Sequence, residues 1–137
     1  MNIQQVTQEE FDRHLGELWN QQKTPKDIDS TKTYWSFLAH NELNKPVGGV
    51  AGYFRWEWAY ISQIVIDPHF QGHDYGSKLM DYIETISREE NMQGVRLSTL
   101  SFQAPQFYEK LGYQEVGRVT DCPPGHALIY FAKKFTK

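Results

Sequence analysis

The chain has 137 residues, 39% of them hydrophobic and 15% aromatic, with a net charge of −3. That length gives one domain, residues 1–137, able to bury roughly two-thirds of its unfolded surface, and the mildly acidic balance offers no basic footprint for nucleic acid. Cys122 is the sole cysteine, which excludes an internal disulfide and a cysteine metal centre, and with no membrane-length apolar run and no signal-peptide core the expected setting is cytoplasmic with no membrane partner.

In chain order, Asn2 to Val6 reads as a short opening strand. Thr7-x-x-Glu10 is a capping-box pattern, and Phe11, Leu15, Leu18 and Trp19 recur at helical spacing, so a first helix is expected from about Gln8 to Gln22. The polar stretch from Lys23 to Lys32, with Pro25, reads as a loop or one weak turn. Tyr34 to His40 is a strand, Asn44-Lys45-Pro46 a turn and Val47 to Arg55 its hairpin partner. Gly48, Gly49 and Gly52 inside that partner mark a bulge or a close backbone approach. Trp56-Glu57-Trp58 is the next turn and Tyr60 to Ile66 a β-branched central strand ended by Asp67-Pro68.

A loop with two glycines follows, Gln71-Gly72-His73-Asp74-Tyr75-Gly76-Ser77, and it opens a helix from Ser77 to about Glu90 with Leu79, Met80, Ile83 and Ile86 on one face. A strand, a glycine loop and a helix start turn unpaired backbone N–H groups toward one point, where the helix dipole adds positive potential. This is a site for a phosphate or pyrophosphate, although neither the P-loop nor the Gly-x-Gly-x-x-Gly signature is present. Val95 to Leu100 is a further strand, Ala104 to Leu111 a short helix capped by Gly112, and Tyr113 to Val119 and Ala127 to Phe135 are last strands around the turn Cys122-Pro123-Pro124-Gly125.

The loop from Gln71 to Ser77 resembles the Gln/Arg-x-x-Gly-x-Gly/Ala loop of the GNAT (GCN5-related N-acetyltransferase) superfamily. Gln71, Tyr75 and Gly76 fall in place, and Asp74 stands where that family usually has glycine. Ala104-Pro105-Gln106-Phe107-Tyr108-Glu109-Lys110-Leu111-Gly112-Tyr113 is similar to the family's Ala-x-x-Phe-Tyr-x-x-x-Gly-Phe/Tyr block almost position for position. The resemblance covers roughly Tyr34 to Lys134. It implies an α/β (α+β) fold with a mixed, mostly antiparallel sheet of about six or seven strands flanked by three or four helices.

The resemblance also implies an acetyl-CoA-dependent N-acetyltransferase that moves an acetyl group to a primary amine. Gln71, Gly72, His73, Asp74, Tyr75, Gly76 and Ser77 would hold the pyrophosphate of acetyl-CoA. Main-chain groups of Ile64, Val65 and Ile66 would bind the pantetheine arm, and one of their N–H groups would face the thioester carbonyl. Tyr108 matches the general acid that protonates the leaving thiolate; a phenol near pKa ~10 can serve a thiol near ~8.5. For the general base, Glu57 is the nearest upstream carboxylate, with water relayed through Ser62 or Tyr60 as the other route. A non-catalytic CoA- or acyl-CoA-binding module of the same fold is the alternative.

The remaining features read structurally. His69 and His73 have metal-ligand spacing, but Pro68 and Gly72 break any helix and no glutamate intervenes, so no metal site is expected. Trp56 and Trp58 read as packing or as an aromatic wall for a cation. Cys122, among prolines, is an ordinary thiol, which favours direct attack in a ternary complex over an acetyl-cysteine. His126, after a turn glycine, reads as a surface residue, with lining the acceptor side as the other reading, and Lys133, Lys134 and Lys137 read as a solvated end. The acceptor amine carries no motif, and a short first helical region is compatible with a homodimer completing the acceptor side.

Overall fold

A computed structural model describes every residue except Lys23, Thr24, Lys26 and Lys137. The expectations for those four, within the second loop and at the solvated end, lie outside the described residues. The elements are α1 (Gln8–Asn20), β1 (Thr33–His40), β2 (Pro46–Arg55), β3 (Trp58–Ile66), α2 (Tyr75–Glu89), β4 (Gly94–Leu100), α3 (Pro105–Lys110), β5 (Gln114–Thr120) and β6 (Ala127–Lys134). The strands form one sheet in the order β1-β2-β3-β4-β6-β5, antiparallel throughout except for β3 and β4. This is the expected mixed class, with six strands and three α-helices among the described residues.

The core lies between the sheet and α2. Ala59 and Ile61 of β3, Val95 and Leu97 of β4, and Ile129 and Phe131 of β6 meet Leu79, Met80 and Ile83. Each of these side chains larger than alanine contributes about 1.5–3 kcal/mol on burial. The glycines of β2 serve close approach: a Cβ at Gly52 would collide with the carbonyl oxygen of Tyr60 on the neighbouring strand.

The opening strand does not form; residues 1–7 have no regular structure, with Ile3 79% and Val6 40% exposed. Ile3 and Val6 are three apart, out of step with the two-residue period of a strand, so no single face can be buried. α1 begins on its Thr7 cap, whose hydroxyl accepts from Glu10 N–H at 3.2 Å, and ends at Asn20, earlier than Gln22. It buries no residue, and Phe11, Leu18 and Trp19 stay exposed. Trp58 belongs to β3 rather than to a turn. Arg55 pairs directly with Trp58, leaving Trp56 and Glu57 as a two-residue loop at φ 54° and 64°, the signature of a type I′ hairpin turn. Trp56 is held there by its indole N–H, which donates to Ser30 Oγ at 3.2 Å, and by the Arg55 guanidinium 3.9 Å from its ring centroid.

Lys133 is not part of a solvated end. Its ammonium donates to Glu84 Oε1 and to the Leu111 carbonyl, both at 2.8 Å, and Tyr113 Oη donates to Glu84 Oε2 at 3.1 Å. Glu84 is buried, so this cluster ties α2, the end of α3 and β6 together across the core. Burial, then the Glu84 charge, pushes the Tyr113 phenol far up from its ordinary value.

Candidate active site

β3 and β4 pair only from Trp58↔Gly94 to Ile61↔Leu97. Beyond that point β3 runs on to Ile66 and β4 to Leu100 without each other, so the sheet opens as a V. A bulge sits at the apex: Ile61 faces Gly52 and Gln63 faces Ala51, with Ser62 extra between them and its hydroxyl donating to Ala51 O at 3.1 Å. An extra residue bends its strand, which carries β3 away from β4.

The bend leaves one edge of β3 unpaired. Asp67 N–H donates to Val47 O at 2.8 Å, and a Cβ at Gly48 would press on Val65 O at 2.7 Å, so the odd residues hydrogen-bond toward β2. By the alternation of the ladder, the N–H and C=O of Ile64 and Ile66 face the opening. Ile64 and Ile66 side chains join the core, whereas Val65 is 63% exposed on the opposite face. The edge therefore offers main chain from Ile64 and Ile66, and Val65 backs it.

The loop closes one end of this opening. A 3-10 turn at Pro68–Phe70 is capped by Asp67, whose carboxylate accepts from His69 N–H at 2.9 Å and bonds the His69 ring at the same distance. Gly72 takes φ 89° and Asp74 φ 60°, left-handed conformations that glycine and aspartate tolerate. α2 then starts at Tyr75, two residues earlier than expected, because the left-handed turn at Asp74 reverses the chain at once. Lys78 N–H donates to Asp74 O at 3.0 Å, leaving the N–H groups of Tyr75, Gly76 and Ser77 as the open first turn. The Asp74 side chain makes no cap hydrogen bond and is exposed. His73 lies near the rings of Phe70 and Tyr75.

α3 closes the other side. Ala104 at φ 57° turns the chain into Pro105, and the helix ends in a Schellman arrangement: Gly112 at φ 93°, its N–H on Glu109 O, and Tyr113 N–H on Tyr108 O, both at 3.0 Å. This fixes Tyr108 over the core against Tyr113 and Phe131, with 7% exposure. Burial raises the Tyr108 phenol above its ordinary value. Among the described residues its hydroxyl has no hydrogen-bond partner and is not sealed from solvent. A Cβ at Gly76 would lie 3.2 Å from Phe107 Cζ, so a bare backbone at residue 76 lets α3 reach the loop.

The result is a cleft of about 450 Å³ lined by Ile64 and Ile66, by the loop from Gln71 to Ser77 except His73, and by Tyr108. Its size, apolar wall and cluster of free amides suit an elongated ligand with an anionic end. Phe70, Gln103, Ala104 and Phe107 complete the lining. Ala104 and Phe107 belong to the sequence block, but nothing in the sequence singled out Phe70 or Gln103.

Glu57 is not brought to this cleft. It sits in the hairpin turn at the other end of β3, on the order of 20 Å from Ile64 by strand rise, and its carboxylate accepts from Gln93 Nε2 at 2.9 Å. The hairpin turn is one residue tighter than the sequence suggested, which fixes Glu57 at the tip rather than along the strand. Ser62 and Tyr60 flank the apex. Trp58 packs against Gly94, Cys122 is a free thiol, and His126 stacks edge-on with Phe102 at 4.8 Å. Among the described residues no cluster of three or more metal-ligating side chains occurs, and no helix is long and apolar enough to cross a membrane.

The "Acetyltransferase (GNAT) family" model matches residues 2–113. A blasticidin-S acetyltransferase from Streptomyces morookaense is 34% identical over 99 residues, 69% of this chain and 73% of that protein. An acetyltransferase crystal structure from Bacillus cereus superposes with a TM-score of 0.84 at 31% identity over 98% of both chains. A Bacillus anthracis protein crystallised in complex with acetyl coenzyme A superposes at 0.68, with 24% identity, over 76% of this chain and 64% of that one.

Proposed function

The chain belongs to the acetyltransferase (GNAT) family, whose co-substrate is acetyl-CoA, and from that premise we propose that it acts as one domain that transfers the acetyl group directly to a small primary amine. The observation that carries this reading is the V between β3 and β4, which sets an unpaired strand edge, an open helix start and the Tyr108 hydroxyl around one cleft. The N–H groups of Tyr75, Gly76 and Ser77 take the pyrophosphate, with Gln71, Gly72 and His73 shaping the loop before them. The main chain of Ile64 and Ile66 takes the pantetheine amides as an added strand would. Acetyl-CoA supplies the thioester, so that the amine forms the new N–C bond as the C–S bond breaks.

Tyr108 gives its proton to the departing thiolate. Its raised pKa keeps the phenol protonated across the working range. The attacking nitrogen loses its proton to water near Ser62 and Tyr60, since Asp74, at the pyrophosphate end, is the one carboxylate among the described residues of the cleft lining. Cys122, outside that lining, has no covalent role, which supports direct attack. A cytoplasmic setting fits a chain with a single free thiol. The exposed Phe11, Leu18 and Trp19 of α1 support a homodimer, which sedimentation at assay concentration tests.

Asp74 and the absence of a carboxylate near the apex among the described residues favour a second reading, a module that binds CoA and transfers nothing. Calorimetry with acetyl-CoA and CoA tests what both readings share; no binding at millimolar cofactor contradicts both. Blasticidin S, named for the Streptomyces relative, is the first acceptor to assay beside polyamines, amino acids and aminoglycosides.

A further inference from the structure

On the face of the sheet turned away from α2 lies a second hollow, of about 440 Å³. Ala59 and Ile61 face the helix, so by alternation Trp58 and Tyr60 face this hollow, joined by Arg96, Val116 and Tyr130. Leu97, whose side chain joins the core on the other face, borders it too, and Ile61↔Leu97 is the last pair before the V opens, so the hollow comes up beneath the apex of the cofactor cleft. Tyr60 and Arg96 are partners one step before that apex. The Arg96 guanidinium stacks on the Tyr60 ring with Cζ 4.5 Å from the centroid.

Arg96 is half-buried, and among the described residues no carboxylate lies within 4.0 Å of it. Glu115 on β5, next in the chain to the lining residue Val116, is taken by Arg118. A guanidinium partly removed from water loses hydration, which an anionic ligand restores through paired N–H donors. The loop, α2 and α3 wall the cleft on the helix side, so an acceptor reaches the apex from this face.

We propose that this hollow holds the acceptor, and that the acceptor carries a carboxylate on a flat or apolar body in addition to its amine. This rests on the transferase reading above. Tyr60 and Tyr130 supply aromatic walls for the body and Arg96 the fork for the carboxylate. An amine lacking the acidic group leaves Arg96 uncompensated and meets like-charge repulsion from it.

The test compares CoA release with matched amines: 3- and 4-(aminomethyl)benzoate against benzylamine, and phenylalanine against phenethylamine. For wild type, at least one carboxylate probe exceeds its uncharged partner by about ten- to a hundredfold in kcat/KM. In Arg96→Gln that preference collapses while acetyl-CoA affinity in calorimetry stays unchanged, and Arg96→Lys restores part of it. Equal use of charged and uncharged partners by the wild type overturns the proposal, as does a preference that survives Arg96→Gln. Binding of acetyl-CoA without turnover of any probe also overturns it. Failure to bind acetyl-CoA contradicts instead the reading on which it rests.

Discussion

At the scale of the residue, Tyr108 carries the sharpest chemical expectation. Its ring is buried and its hydroxyl has no partner among the described residues, so Tyr108→Phe removes the proposed proton donor and leaves the packing. Turnover should fall about 10²–10⁴-fold with CoA affinity within about twofold of wild type. Because burial raises the phenol's pKa, the wild-type rate should show no falling limb from this group up to about pH 10. A falling limb near pH 8 that vanishes in Tyr108→Phe contradicts that. Asp74 makes the opposite kind of prediction. Its exposed carboxylate stands beside the open amides of α2, and at an effective dielectric near 20 a charge about 5–10 Å from a diphosphate costs on the order of 1–3 kcal/mol. Asp74→Asn, which keeps the shape, should tighten CoA binding at low salt by up to about a hundredfold. Calorimetry giving equal affinities for the two means that solvent screens the charge. Glu57→Gln, far from the cleft, should leave kcat and its pH profile unchanged.

At the scale of the element, the strands from Thr33 to Ile66, α2 and α3 were legible because each has one dominant signal: a turn between two aromatic-bearing strands for β1 and β2, a β-branched run for β3, a continuous apolar stripe for α2, and the paired Pro105 start and Gly112 stop for α3. That the extra residue of the bulge falls on β3 and bends that strand was not legible, although Gly52 opposite it marked a bulge or a close approach. A bulge depends on the register between Ala51 and Gln63, which no local pattern around Ser62 specifies. Nor was the role of Lys133, although Glu84 carried a hint: it shares the face of α2 with Met80, Ile83 and Ser87 and is the one acid there. An acid on an apolar stripe asks for a partner, and which cation answers depends on how β6 packs. Removing one member of such a buried cluster leaves the others unpaired, so Lys133→Met should cost about 2–4 kcal/mol of unfolding free energy, read by urea melts. The Tyr113 phenol adds a pH signature. Its folded pKa lies above its unfolded one, so its stabilisation is complete below about pH 10 and erodes as pH rises beyond that. The thermal midpoint should fall above pH 10, and less steeply in Tyr113→Phe; an unchanged fall contradicts the assignment.

At the scale of the whole molecule, the two sequence blocks converge on one cleft only because the sheet splits between β3 and β4. Loop, strand edge and Tyr108 were named from the sequence and meet in space; Glu57 was named and does not. The difference is physical: the loop and the α3 block act through local backbone geometry, whereas a base must be delivered by tertiary packing at the apex. What separates a transferase from a binding module is whether this cleft transfers acetyl groups or only holds CoA. The most direct measurement is the rate of thiol release from acetyl-CoA with and without an amine panel, with the acylated product weighed by mass spectrometry. Amine-dependent release, one N-acetyl product per thiol, is the predicted result. Tight acetyl-CoA binding with no amine-dependent release contradicts it and leaves a binding module.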